Sequence, residues 1–110
     1  MINLEVLDCR KCGTNCEPLN SIGDIDNAEI VVVYEEPTRE DYQRNQLFET
    51  RGCYFARKQM EKHFNLDKVY FTAVKKCMKG NFQTCKETWL DKEIANKYLI
   101  IMGKTTFLSM

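Results

Sequence analysis

The sequence predicts an α/β domain in which helices cover a short, mainly parallel β-sheet. Three apolar segments rich in β-branched or aromatic residues, 28–34, 68–73 and 98–103, have the composition of buried strands. Two segments with helical character, 51–64 and 84–97, separate these strands. The order strand, helix, strand, helix, strand favours right-handed parallel crossovers, and therefore a three-layer sandwich.

Local signals define the ends of these elements. Pro37 ends the first strand, and residues 35–50 are predicted to be irregular. Thr84 with Glu87 resembles a capping box and predicts the start of the second helix. Residues 1–27 lack periodicity and are predicted to form a loop. The first helix is predicted to turn its apolar residues inward, namely Phe55, Ala56, Met60 and Phe64.

The length and composition predict a single domain that spans residues 1–110. No apolar run approaches the roughly 20 residues that a membrane helix needs, and the N-terminus lacks the pattern of a signal peptide. We therefore expect a cytoplasmic protein without a membrane partner. In a reducing compartment, six cysteines are expected as metal ligands, core residues or redox groups. A secreted, disulfide-linked protein is the alternative.

Charge is segregated along the chain although the formal net charge is zero. Seven acidic residues and one arginine lie between positions 24 and 41, whereas five lysines and no acid lie between positions 68 and 86. One interpretation is that both segments form ordinary solvated faces. The other is that Lys75, Lys76 and Lys79, around Cys77, contact a phosphate backbone.

Four cysteines carry the strongest chemical signal. Cys9 and Cys12 form a CxxC pair near the N-terminus, and Cys77 and Cys85 form a second pair far downstream. Two residues between cysteines allow both sulfurs to face one metal ion or cluster, and thiolates suit zinc and iron–sulfur clusters alike. If the four sulfurs meet, the N-terminal cysteine loop is tied to the core.

The order of short motifs resembles that of a known family. A CxxC is followed by a strand ending in Glu35-x-Pro37, an isolated Phe48, the pair Arg51-Gly52, a helix, and a strand leading into Lys76-Cys77. This order resembles the iron–sulfur uracil-DNA glycosylases, known as family 4. The resemblance runs from Cys9 to Gly103 and implies a uracil-DNA glycosylase-like fold.

The resemblance also implies a cofactor. The four residues that match the ligands of a 4Fe-4S cluster are Cys9, Cys12, Cys77 and Cys85. The interval between Cys77 and Cys85 is shorter than the family usually has, so Cys16 is an alternative to Cys85 as a ligand. Zinc is the alternative metal. Cys53, inside a helical pattern, is expected to be a core residue.

The resemblance implies a base pocket as well. Phe48 matches the ring on which an extruded uracil stacks, and Glu35 matches the catalytic carboxylate. Arg51 matches an arginine of the family that we expect to contact DNA, together with Lys75, Lys76 and Lys79. Ala73 stands at the base-binding position where the family has an asparagine that reads the base.

Several departures from the family count against catalysis. Ala73 has no amide to pair with a base, and Tyr34 and Thr38 replace glycines that allow close backbone approach. Glu36 and Glu49 add negative charge where DNA would pass. The given sequence contains no match to the His-Pro-Ser-type segment of the family, and its one histidine is expected on a helix surface.

Three functions follow as hypotheses. The first is an inactive relative that keeps the fold and the cluster and binds DNA, or a protein of the replication or repair machinery. The second is an active glycosylase that removes uracil or another damaged base, using Glu35 or Asp41 to position water. The third is an unrelated zinc- or cluster-binding interaction domain.

Overall fold

Three parallel strands form the centre of the fold. The structure is a computed structural model that describes residues 6–11, 17–49, 51–77, 80–103, 106 and 108, with the backbone alone at positions 51, 52 and 66. The strands are β1 (Ile30–Tyr34), β2 (Val69–Ala73) and β3 (Tyr98–Ile101). They form one parallel sheet in the order β2–β1–β3. The predicted α/β class and short parallel sheet are therefore confirmed.

The strand register brings the first two loops together. Tyr34 pairs with Ala73, and pairing continues past both strands because the Lys75 N–H donates to the Glu35 carbonyl at 2.9 Å. The carboxyl ends of parallel strands lie at one edge of a sheet, where loops carry function in open α/β folds. Glu35 and the segment that leads from Lys75 to Cys77 therefore lie side by side.

The two outer strands of the sheet have different surroundings. Ile22 and Phe71 exchange two backbone hydrogen bonds of 2.9 Å, so an antiparallel bridge covers the outer side of β2. On β3, by contrast, Tyr98 is 78 % exposed and Ile100 is also exposed. The sheet is thus more deeply buried at β2 than at β3.

Residues in β2 and directly after it pack in hydrophobic clusters on the two faces of the sheet. Phe71 packs in a cluster with Phe48 and Cys53, and Cys53 belongs to the helix α2 (Arg51–His63). On the other face, Val74 follows β2 and packs with Leu90 from a later helical segment. Helices therefore cover both faces of the sheet. The expectation that Cys53 is a core residue is confirmed.

Helix α2 forms where it was predicted, but the residues that it turns toward the sheet differ from the predicted ones. Cys53 is buried and Met60 packs against the same core, whereas Phe55 is 65 % exposed and Phe64 is also exposed. Positions 53 and 60 are seven residues apart and share one side of a helix, while position 55 lies on the opposite side. The predicted inward face is therefore wrong for Phe55 and Phe64.

A short helix, α1 (Arg39–Gln43), lies in the segment that was expected to be irregular. Thr38 and Asp41 form a capping box, in which the Asp41 N–H donates to Thr38 Oγ1 and the Thr38 N–H donates to Asp41 Oδ2. The cap stabilises this short helix directly after β1, and the segment Thr-x-x-Asp is its signal in the sequence.

The second crossover is helical but is not one regular helix. It consists of α3 (Phe82–Cys85), a π-helical turn (Lys86–Leu90) and α4 (Asp91–Ile94). The cap is Asn81, because its side chain accepts a hydrogen bond of 3.0 Å from the Thr84 N–H. The predicted start at Thr84 is therefore wrong. Among the helices in the described part of the chain, none is long and apolar enough to cross a membrane.

Candidate metal centre and base pocket

Two of the four predicted ligands lie together at the carboxyl end of β2. A Cβ atom placed on Gly80 would lie 3.1 Å from Cys85 Sγ and 3.2 Å from Cys77 Sγ. Both sulfurs therefore lie close to position 80, where glycine has no side chain to contact them. Both cysteines are buried, so the two sulfur atoms lie in a site with little water.

Local structure explains how these sulfurs meet. Cys77 follows β2, and the Gly80 N–H donates to the Cys77 carbonyl at 3.1 Å, which closes a tight turn. Asn81 then caps α3, and the Cys85 N–H donates to the Asn81 carbonyl at 2.9 Å. Turn and helix together return Cys85 to Cys77. A side chain at position 80 would crowd both sulfurs.

Cys9 approaches the same helical segment. The Trp89 indole N–H donates to Cys9 Sγ at 3.3 Å, and Trp89 lies about one helical turn after Cys85. Cys12 and the alternative ligand Cys16 lie outside the described residues. Within the described part of the chain, no three His, Cys, Asp or Glu side chains form a group that could hold a metal ion.

The oxidation state of Cys77 bears on metal binding. Cys77 takes part in a disulfide, whose partner lies outside the described residues. Thiolates bind metals, and a sulfur bonded to another sulfur has no thiolate to offer. A metal centre that uses Cys77 and this disulfide therefore exclude each other, so metal binding requires the disulfide to be reduced.

The ring expected to stack on a base is buried. Phe48 has no exposed surface, and its centroid lies 5.0 Å from the Tyr34 ring, edge to face, and 5.1 Å from the Phe71 ring. Its backbone has a positive φ of 69°. This arrangement differs from the accessible stacking ring that the resemblance implies. A base could stack on Phe48 only if a neighbouring ring moved away.

A buried hydrogen-bond network holds Tyr34 in this position. The Tyr34 hydroxyl donates to Asp41 Oδ2 and accepts a hydrogen bond of 2.9 Å from the Phe48 N–H. Asp41 Oδ1 also accepts a hydrogen bond of 2.6 Å from the Glu49 N–H. Burial raises the pKa of Tyr34 above its ordinary value, and the bond to Asp41 raises it further. The hydroxyl therefore stays protonated and donates to Asp41.

The predicted catalytic carboxylate lies at the expected sheet edge. Glu35 follows β1 and is half-buried, and its carbonyl is held by the backbone of Lys75. The Lys75 ammonium pairs with Glu36 Oε2 at 2.9 Å, so one of the predicted DNA contacts is already neutralised by an acid. Ala73 is buried at the end of β2 and presents no polar side-chain atom.

Lys76 is a correction to the predicted DNA surface. Its side chain is 1 % exposed and forms a buried ion pair with Glu93. The ammonium also donates to Thr72 Oγ1 at 2.7 Å and to the Ala73 carbonyl. A lysine enclosed in this way does not reach a phosphate group. Lys79 lies outside the described residues, and only the backbone of Arg51 is described.

The ion pair of Lys76 belongs to a polar cluster that sequence reasoning did not find. Ser21 Oγ lies 2.7 Å from Thr72 Oγ1, and Glu93 lies within hydrogen-bond reach of Thr72. Burial raises the pKa of Tyr70 in this cluster, and the negative charge of Glu93 raises it further. The cluster joins the N-terminal segment, β2 and α4.

An open cavity of about 430 Å³ lies beside α1 and the start of α2. The residues that line it are Glu40, Gln43, Arg44, Glu49 and Tyr54. Glu49 is paired with Arg57 at 3.3 Å. The lining does not include Glu35, Phe48 or Ala73, so this cavity is separate from the residues that the resemblance assigns to base recognition.

Two comparisons with known proteins found no relative of this chain. No family model matches the chain, and no curated protein is detectably similar to it. The functional interpretation therefore depends on the residues and their geometry.

Proposed function

We propose that this protein is an iron–sulfur-binding, uracil-DNA glycosylase-like protein that does not excise bases. In this proposal it binds DNA or serves as an interaction subunit in replication or repair. The observation that carries the proposal is the closeness of the Cys77 and Cys85 sulfurs to Gly80. Cys9 Sγ accepts a hydrogen bond from Trp89, four residues after Cys85.

The chemistry of the donors fits the proposed centre. Cys9, Cys12, Cys77 and Cys85 would supply four thiolates, the donor set of a 4Fe-4S cluster. The same set suits zinc, which is the alternative metal. A cluster held in this way would tie the N-terminal loop to β2 and α3, and ligation would contribute stability to a chain whose three-stranded sheet buries little area.

The neighbourhood of Phe48 supports the absence of excision. The Tyr34 ring lies against Phe48, where a base would have to stack, and Asp41 holds the Tyr34 hydroxyl. Ala73 cannot read the edge of a base, and Asp41 accepts hydrogen bonds from the protein instead of positioning water. Glu35 is a half-buried carboxylate. Neither an accessible Phe48 ring nor a polar side chain at Ala73 is present to hold a base beside it.

Metal and sulfide analysis of protein purified without oxygen tests the metal centre. We expect brown protein that contains iron and inorganic sulfide. Cys85→Ala should lose the metal, whereas Cys53→Ala, which removes a core cysteine, should keep it. Colourless protein with bound zinc would support the alternative metal, and reduced protein without any metal would refute the proposed centre.

A single-turnover assay on uracil-containing single- and double-stranded DNA tests catalysis. We expect no release of free uracil. Release that disappears in Glu35→Gln but persists in Glu36→Gln would contradict the inactive assignment and support an active glycosylase. The comparison is informative because the two residues are adjacent and carry the same charge.

A further inference from the structure

The outward side of α2 combines exposed aromatic rings with lysines. Phe55 is 65 % exposed, Tyr54 is 43 % exposed, and Lys62 is exposed as well. The Lys58 side chain is 45 % exposed. Phe55, Lys58 and Lys62 are separated by three and four positions, and therefore form one stripe along the helix. Met60 packs against the core, so this stripe faces solvent.

The charge of α2 is positive although the whole chain is neutral. The helix contains four cationic residues and one acid, Glu61. Arg57 is paired with Glu49, and Lys58 contacts Glu61 at 3.3 Å near the surface. Of these two pairs only Lys58–Glu61 is exposed, and Lys58 can exchange Glu61 for another anion because the attraction in water is weak. The stripe therefore offers two ammonium groups to an anionic partner.

Cations also surround the second ring. The Arg57 Cζ atom lies 5.1 Å and the Lys58 Nζ atom 5.3 Å from the centroid of the Tyr54 ring. These contacts orient Tyr54 beside the stripe, while Phe55 projects farther into solvent. An exposed aromatic ring flanked by lysines suits a ligand that has both flat, unstacked faces and regularly spaced negative charge.

We propose that the stripe formed by Phe55, Lys58 and Lys62 binds single-stranded nucleic acid. Phe55 stacks on an unpaired base, and the two lysines contact phosphates. This inference rests on the DNA-binding part of the proposed function and names its substrate class. Duplex bases are stacked on each other, so they cannot cover Phe55 in the same way.

The stripe extends over positions 55–62, about 10 Å along the helix axis. It therefore covers only a few nucleotides, and binding should be weak and strongly dependent on salt. Of the described lysines near Cys77, Lys75 is paired with Glu36 and is largely buried, and Lys76 is buried, so neither replaces the stripe.

Fluorescence anisotropy with labelled oligothymidine, oligouridine and a duplex of equal length tests the inference. We expect the single strands to bind more tightly than the duplex at low salt, and the two single-stranded probes distinguish DNA from RNA. Phe55→Ala should weaken single-strand binding by about 5-fold to 150-fold, the range for loss of one stacked base. Changing both Lys58 and Lys62 to Gln should lower the slope of log K against log salt by about 1.4.

Matched controls lie on other surfaces of the chain. Tyr98→Ala removes an aromatic ring that is even more exposed, on β3, and Lys92→Gln removes an exposed lysine on α4. Neither should change binding. Absence of single-strand binding would overturn the inference, as would Phe55→Ala binding like the unchanged protein. Equal displacement of the oligonucleotide by polyglutamate would also overturn it and indicate an acidic protein partner.

The test of single-strand binding and the test of the metal centre can give different answers. Protein that contains a cluster but does not bind single strands refutes this inference and leaves the metal assignment intact. Protein without a metal that still binds single strands through Phe55 supports this inference and refutes the cluster.

Discussion

The Tyr34 hydroxyl donates a hydrogen bond of 2.5 Å to Asp41 Oδ2, and both side chains are buried. This contact joins the last residue of β1 to the first turn of α1. The same hydroxyl accepts a hydrogen bond from the Phe48 backbone, so one phenol group holds the strand, the helix and the loop that carries Phe48. The closed form of the candidate base pocket is thus a product of specific polar contacts as well as apolar packing.

Replacing Tyr34 with Phe should therefore destabilise the fold. The ring and its contact with Phe48 are retained, but Asp41 loses a donor and the Phe48 N–H loses its acceptor. We expect the free energy of unfolding to fall by about 1–3 kcal/mol, the cost of leaving buried polar groups unsatisfied. Urea denaturation measures this change. Tyr42→Phe, which removes a more exposed bond to the Glu17 carbonyl, should cost less, and an equal effect of the two variants would contradict the argument.

Alkaline pH should destabilise the protein through two tyrosines. Burial raises the pKa values of Tyr34 and Tyr70 above the ordinary value of 10.0. Below about pH 10, both hydroxyls are protonated in the folded and unfolded states, so they add no pH dependence. Above it, the unfolded chain releases protons that the folded chain retains. The free energy of unfolding should then fall by about 1.4 kcal/mol per pH unit for each tyrosine.

Urea midpoints measured between about pH 9 and pH 11 test this prediction. Tyr34→Phe and Tyr70→Phe should each reduce the alkaline slope, whereas Tyr98→Phe, on the exposed strand β3, should not. An unchanged slope in the double variant of Tyr34 and Tyr70 would show that other groups cause the alkaline loss of stability.

Because the ion pair of Lys76 and Glu93 is buried, removing one of its two charges should greatly lower the free energy of unfolding. Lys76→Met leaves the carboxylate of Glu93 buried without its cation, which should cost about 3–5 kcal/mol in the free energy of unfolding. Combining it with Glu93→Leu should recover part of that loss, because the uncompensated charge is gone. Lys86→Met removes an exposed pair with Asp91 and should cost no more than about 1 kcal/mol. Similar losses in both single variants would argue against the pair being buried.

Residue types were sufficient to predict the strands. The run that contains Val31, Val32 and Val33 forms β1, and the following apolar runs form β2 and β3 in the expected parallel sheet. Buried strands of a parallel sheet bury both faces, so composition identifies β1 and β2. Composition also located β3, but the expectation that this strand is buried is wrong, because Tyr98 and Ile100 are exposed. The extent of α2 was also predicted, since its periodicity ends near His63.

Residue types were not sufficient to predict burial where the position of a side chain depends on residues far away in the sequence. The apolar residues of α2 are compatible with two orientations of the helix about its axis. In the folded chain Cys53 packs in the core and Phe55 is exposed. Lys76 appeared in a run of lysines as a surface residue, but Glu93, seventeen positions later, neutralises it inside the fold. Such pairings depend on the way the second crossover packs back onto β2, which short motifs do not encode.

Gly80→Ala tests the geometry on which the metal centre depends. The added methyl group would lie 3.1 Å from Cys85 Sγ and 3.2 Å from Cys77 Sγ, so at least one sulfur must shift. Changes that misorient metal ligands typically reduce affinity by about 10-fold to 100-fold, and we expect a loss of this size under reducing conditions. Competition with a chelator measures affinity, and Trp89 fluorescence reports on its neighbour Cys9.

Gly103→Ala provides the matched control for this experiment. Gly103 has a positive φ of 94°, so alanine strains the backbone, but the contact found for its added methyl group is Thr106 Oγ1 at 3.7 Å and not a described cysteine. This variant should lose stability yet bind metal like the unchanged protein. If Gly80→Ala retains full affinity, the sulfurs of Cys77 and Cys85 do not share a metal across that glycine. If both variants lose affinity equally, the loss reflects general destabilisation and not the geometry of the site.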